Sequence, residues 1–135
     1  ALSLPDLPEL VALSNYYMED GYTAMNKLLD SGKKLHAVIA INDQVAIGAI
    51  RAIHDRGLSV PEDVAIVSCD SFPGGEFQSP RLTGLNQQSE YIGKLAILSL
   101  MSSMQGISET ISINHTPTLV IRESCGALLG PRARK

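Results

Sequence analysis

Two hydrogen-bonding side chains follow apolar runs of strand length, Asn42 after His36–Ile41 and Asp70 soon after Val64–Val67, and a third, Gln87, lies just beyond the short strand read at Leu82–Leu85. Asn and Gln each carry a donor and an acceptor, and an ionised Asp accepts through both oxygens. Brought to one point, such a set suits a small polyhydroxylated molecule. A simpler reading stays open for each. Asn42 and Asp43 are both residues that cap helices, and Asp70 is a common turn residue. Bond-making chemistry is poorly provided for. His36, His54 and His115 are scattered, so their spacing supports neither a metal site nor a general base. There is no Gly-x-Ser-x-Gly elbow for a nucleophilic serine and no Gly-rich phosphate loop after a strand. No enzyme, metal or cofactor is expected.

The elements that position these residues can be read from periodicity. Gly21 to Asp30 places Tyr22, Met25, Leu28 and Leu29 at helical spacing and then meets Gly32, which predicts a short helix. The nearly unbroken apolar run His36–Ile41 fits a parallel strand covered on both faces. Asp43 is the expected cap of the next helix, whose Ile47, Ile50 and Ile53 share a face before Gly57 stops it. Val64–Val67 supplies a second strand. Strand, helix and strand then form a right-handed βαβ unit with its strands parallel, so the class is α/β. Residues 70–80 read as a loop and Leu82–Leu85 as a short strand. Gln88–Met104 reads as a helix, and Ile111–Asn114 and Leu119–Arg122 as two more strands. Ligands of open parallel sheets bind outside the carboxyl ends of the strands. That rule puts Asn42 and Asp70 on one edge, with Gln87 beside them.

Composition narrows the class further. A chain of 135 residues supports one core, and 44% hydrophobic residues argue against disorder. No apolar run approaches the roughly 18 residues of a membrane span. A net charge of −3 offers no field for nucleic acid. The one basic cluster, Arg132 to Lys135, belongs to a tail over 127–135 that is expected to be solvated and flexible. Cys69 and Cys125 lie far apart without a C-x-x-C pattern, which fits a reducing, cytoplasmic setting. Ala1–Pro8 lacks the basic start and apolar core of a signal peptide.

The stretch from His36 to Asp70, HAVIAINDQVAIGAIRAIHDRGLSVPEDVAIVSCD, resembles the effector-binding domain of LacI/GalR-family bacterial transcriptional regulators. Ser79–Gly93 (SPRLTGLNQQSEYIG) resembles that family's Pro-x-Leu-Thr-Thr-x-x-Gln stretch, and Leu119–Cys125 (LVIRESC) its closing strand. The resemblance implies a periplasmic-binding-protein-like fold of two Rossmann-like lobes, with a sugar or other small metabolite bound between them and altering operator affinity. Residues 1–126 would form most of the C-terminal lobe. By position, Asn42, Asp70 and Gln87 match effector-binding residues, and Tyr22 falls where an aromatic packs against the ligand. Dimers of the family pair through this lobe, which makes Ile47, Ile50, Arg51 and Phe77 interface candidates. The same helix could instead bury its apolar residues within the lobe. DNA would be reached only through an N-terminal domain that has no counterpart here, so the chain is expected to be a fragment of a longer, homodimeric or higher-order regulator. The alternative is a sugar-binding protein serving a transporter. Three positions depart from the family pattern: Ser68 replaces a Gly, Ser71 a second Asp, and Gly84 the second Thr of the Thr-Thr pair.

Overall fold

Apolar strand runs alternating with amphipathic helices produce, in the computed structural model, a four-stranded sheet with two helices packed on one face. The structure describes residues 7–106 and 112–130. A 3-10 turn at Pro8–Leu10 leads into α1 (Met18–Asp30), β1 (Ala37–Ala40), α2 (Asp43–Asp55) and β2 (Ala65–Ser68). A second 3-10 turn (Pro73–Phe77), β3 (Thr83–Asn86), α3 (Ser89–Met104) and β4 (Thr118–Val120) follow. Strand order matches chain order. The first three strands are parallel, with Val38 opposite Ile66 and Val67 opposite Thr83. At the edge β4 runs antiparallel, Leu85 facing Leu119. The expected βαβ unit is therefore present, and the sheet is mixed rather than wholly parallel. Of the two strands predicted near the end, the later one forms at Thr118–Val120. Ile111 of the earlier one lies outside the described residues, and Ile113 and Asn114 adopt no regular structure.

Helix α1 begins three residues before Gly21, the start expected from the sequence. The reason is the way α1 and α2 cross. A Cβ on Gly21 would collide with the backbone of Val45, and one on Gly48 would collide with the Met18 carbonyl oxygen and the Tyr22 nitrogen. Both glycines are buried inside helices because the two backbones touch there. Each helix accepts the lower intrinsic propensity of glycine in exchange for close packing.

Met25 from α1, Ile50 and Ile53 from α2, Ile66 from β2 and Leu82 before β3 form the core. Ile50 retains only 6% of its exposure. Its expected place at an interface is thus corrected: it lies on the inward stripe of α2, where the lobe itself consumes its apolar surface. The other face of the sheet is open, since side chains alternate along a strand and Ile39, between buried Ala40 and half-buried Val38, is 77% exposed. Helix α3 is apolar yet contains no buried residue.

The segment after β4 is fastened to β2 and β3 by several hydrogen bonds, two of them through the Ser124 hydroxyl. Ser124 Oγ accepts from the Thr83 N–H at 2.9 Å and donates to the Ile66 carbonyl at 2.7 Å, and Ser124 is fully buried. Ser124→Ala leaves a buried donor and a buried acceptor unpaired, so it is expected to lower unfolding free energy by about 2 kcal/mol. Urea titration checks this, and an unchanged midpoint would mean that water replaces the hydroxyl.

Two exposed ion pairs make stability depend on acidity. Arg51 Nε meets Asp55 Oδ1 at 2.9 Å, and Arg81 Nη2 meets Glu123 Oε1 at 3.0 Å. The hydrogen bond from Arg51 holds the Asp55 carboxyl below the ordinary range, against partial desolvation. Hydrogen bonds from the Arg81 backbone and guanidinium do the same for Glu123. A depressed carboxyl contributes stability above its unfolded value, about pH 4, and that contribution is lost as pH falls through the lower folded value. The urea midpoint is expected to drop below about pH 4, less steeply in Glu123→Gln. Identical slopes in the two chains would show that the Arg81 pair is energetically silent.

Candidate functional site

The carboxyl ends of β1 and β2 open onto a cavity of about 280 Å³ lined by Asn42, Asp43, Ile47, Asp70 and Phe72, together with Met18 from α1. Asn42 is in extended conformation, and its Oδ1 accepts the Val45 N–H at 2.8 Å. Its amide donates to the Tyr16 carbonyl at 3.1 Å. Asn42, not Asp43, is therefore the cap of α2. A cap must precede the first helical residue with extended backbone, and Asp43 is already inside the helix. Asp43 instead ties two elements together. It is buried, and its Oδ2 accepts the Phe72 N–H at 2.6 Å, fastening the loop after β2 to the first turn of α2. Negative charge is favoured at that end of a helix.

Asp70 stands two residues beyond β2, half-buried. Its N–H donates to Ser68 Oγ at 3.0 Å, its Oδ1 accepts the Ser71 N–H at 2.8 Å, and its carbonyl accepts the Leu85 N–H at 3.1 Å. A Cβ on Gly84 would strike that same carbonyl oxygen. The glycine at the second Thr position thus lets β3 close tightly on Asp70. Gln87 is exposed and donates through Nε2 to the Cys69 carbonyl at 3.0 Å, one residue from Asp70.

Asn42 and Asp70 consequently share a cavity, with Gln87 tethered beside them. Tyr22 does not join. Its hydroxyl donates to Asp55 Oδ2 at 3.2 Å, at the last residue of α2, far from the cap at Asn42. Met18, one helical turn earlier on the same side of α1, lines the cavity in its place. Of the remaining interface candidates, Ile47 is half-buried in the cavity wall, Arg51 is exposed and paired with Asp55, and Phe77 is 81% exposed. Reasoning from the sequence missed Met18, Phe72 and Gln78, which also line the cavity. Only Met18 carried a signal, through its four-residue spacing from Tyr22.

Chemically, the edge presents carboxylate and amide acceptors in a half-open, partly apolar hollow. Such a surface suits a ligand rich in hydroxyl groups. Among the described residues no cluster of His, Cys, Asp and Glu could hold a metal ion. Hollows of about 590 and 660 Å³ lie around Pro61, Glu62 and Leu129, before β2 begins. They are larger and include polar side chains such as His36 and Asp63, but they face the amino ends of the strands, away from the edge at which open parallel sheets bind ligands.

A βαβ-based lobe with its polar groups gathered at the carboxyl edge belongs to the class of binding proteins built on parallel sheets. The family model described as periplasmic binding protein-like domain matches residues 2–125. The chain is 35% identical over 119 residues to the HTH-type transcriptional repressor MelR of Bacillus subtilis, covering 88% of this chain and 35% of that protein. It superimposes on the Escherichia coli transcriptional repressor AscG with a TM-score of 0.82 at 25% identity, over 90% of this chain and 44% of that one. The transcriptional regulator CelR in complex with cellobiose is also similar, with a TM-score of 0.80 and 31% identity over 90% of this chain and 37% of that one. This chain belongs to the periplasmic binding protein-like domain family, in the form carried by LacI/GalR-type regulators. It spans about a third of the length of the curated relatives it matches. No helix among the described residues is long and apolar enough to cross a membrane.

Proposed function

We propose that this lobe senses a small effector, a sugar by class, within a cytoplasmic repressor whose operator-binding domain lies outside this chain. The observation that carries the reading is Asp70. It stands at the carboxyl edge with its backbone clamped on three sides, by Ser68, Leu85 and the bare Gly84, and its carboxylate borders a hollow it shares with Asn42. A ligand hydroxyl donating to that carboxylate meets a group already fixed in place, so little ordering cost is added on binding. Gln87 is close enough in sequence and space to add a donor, and Asn42 acts mainly by holding the start of α2. Similarity to a regulator complexed with cellobiose supports a sugar as ligand.

No step of chemistry is required: the effector works by binding one geometry of two lobes better than another, and the DNA-binding domain reads that bias. Ile47, Arg51 and Phe77 are the surface residues proposed to meet a second copy, with Ile50 excluded by burial. The test is operator release. In a full-length regulator containing this lobe, a panel of mono- and disaccharides is titrated while fluorescence anisotropy follows labelled operator DNA. One sugar is expected to shift operator affinity at least about tenfold. Failure of every sugar, with release by a nucleobase instead, would overturn the sugar class.

A further inference from the structure

We infer that Asp43 is the positioning residue that makes the Asp70 pocket and the exposed 72–77 loop move as one body. The inference deepens the proposed function, since it takes Asp70 as the ligand contact. Two adjacent peptide N–H groups, those of Ser71 and Phe72, are held by two different carboxylates: Asp70 binds the first at 2.8 Å and Asp43 the second at 2.6 Å. The loop beyond is internally braced, because the Gly75 N–H donates to the Phe72 carbonyl at 3.0 Å and the Leu82 N–H donates to the Gly75 carbonyl at 2.9 Å. Gly75 is buried, and a Cβ there would rest about 3.5 Å from Asp43 Oδ2, so the loop lies directly on this carboxylate. At its far end stands the exposed ring of Phe77.

Asp43 is only 4% exposed, and its Oδ1 has no hydrogen-bond partner among the described residues. A buried carboxylate oxygen without a donor is costly, so it forms a ready acceptor one peptide away from Ser71. A ligand hydroxyl that donates to Oδ1 of Asp70 competes with the Ser71 N–H for that oxygen. The released N–H then has Asp43 Oδ1 as its alternative acceptor. The exchange turns the Asp70–Ser71 peptide, and because Asp43 grips the next peptide through the Phe72 N–H, the displacement passes to the braced loop and Phe77. The anchor is rigid, since Asp43 sits in the capped first turn of α2.

A cycle without ligand tests the coupling in the 135-residue chain. Asp70→Ala removes the competing carboxylate, and the amide resonance of Phe77 is followed by heteronuclear NMR in native, Asp43→Ala and Asp43→Asn backgrounds. Asp70→Ala is expected to move the Phe77 resonance most in the native chain and by an intermediate amount in Asp43→Asn, whose one oxygen still accepts from Phe72 while its NH2 group takes the place of the free acceptor. In Asp43→Ala the displacement is expected to fall below about a third of its native size. Equal displacement in all backgrounds, or an Asn variant that behaves like Ala, would overturn the inference. Amide exchange in the unmodified chain decides the matter should Asp43→Ala not fold. Protection at Phe72 comparable to that at Ala46 supports a fixed anchor, and exchange at Phe72 as fast as an open loop refutes it. A sugar screen that fails on the full-length regulator removes the proposed function and leaves this result standing, because no ligand enters the cycle.

Discussion

Gly48→Ala is expected to destabilise the lobe by about 3 kcal/mol, the upper end of the usual cost of overpacking. The sign is informative, because propensity alone argues the opposite way. Alanine is a better helix former than glycine by about 1 kcal/mol. At Gly48, however, the added carbon meets the carbonyl oxygen of Met18 and the nitrogen of Tyr22, both backbone atoms that cannot rotate aside. The helices must separate, and separation uncovers Met25 and Ile53, which are almost entirely buried beneath the crossing. Gly93, within α3, is the internal control, since a Cβ there meets nothing within 4 Å. Gly93→Ala is expected to be neutral or to stabilise by up to about 1 kcal/mol. Urea unfolding of both variants makes the comparison. Destabilisation of the same size at the two sites would mean that backbone contact between α1 and α2 is not what holds the lobe together.

Asp70→Ala in the full-length regulator is expected to weaken effector binding by about 1.4 kcal/mol or more, a tenfold loss in affinity, while leaving thermal stability within about 1 kcal/mol. The two quantities separate because the clamps on Asp70 involve its backbone: the N–H bound to Ser68 and the carbonyl bound to Leu85 survive removal of the side chain. What disappears is the carboxylate, with its hydrogen bond from Ser71 and its acceptors toward the cavity. Asp70→Asn retains an oxygen for Ser71 but turns one acceptor into a donor, so its affinity is expected to fall between the other two. Calorimetry reads all three. Undiminished affinity in Asp70→Ala would remove this residue from the ligand site.

Much of this architecture was legible in the residues. The apolar run before Asn42, the Ile47–Ile50–Ile53 stripe and the run before Asp70 define the βαβ unit and the edge on which the polar residues stand. The roles within that edge were less legible. Asn42 and Asp43 are both cap formers, and only the backbone decides which of them is extended and which is already helical. Gly21 looks like a helix boundary because glycine lowers propensity, and the contact that justifies it comes from Val45, a long-range partner invisible to local spacing. Tyr22 and Met18 share one side of α1, so periodicity does not say which reaches the cavity. Phe72 and Gln78 sit in an irregular loop whose path is set by Asp43 and by Gly75–Leu82 pairing, and no period reports on that.

The open face is hidden from the sequence for a related reason. Ile39 reads as an interior residue of a covered strand, yet it is 77% exposed here; Leu119 is also more than half exposed, and the apolar α3 contains no buried residue. A mostly parallel sheet with one bare face is consistent with a lobe spanning about a third of its relatives' length.

The most direct test of the central claim, that the carboxyl edge around Asp70 is the effector site, is a crystal structure of a full-length regulator containing this lobe, grown with the sugar that releases it from operator DNA. The expected result is a sugar hydroxyl within hydrogen-bond distance, about 3 Å, of the Asp70 carboxylate, with Gln87 alongside. A sugar bound instead in the hollows around Pro61 and Leu129, at the amino ends of the strands, would contradict the account.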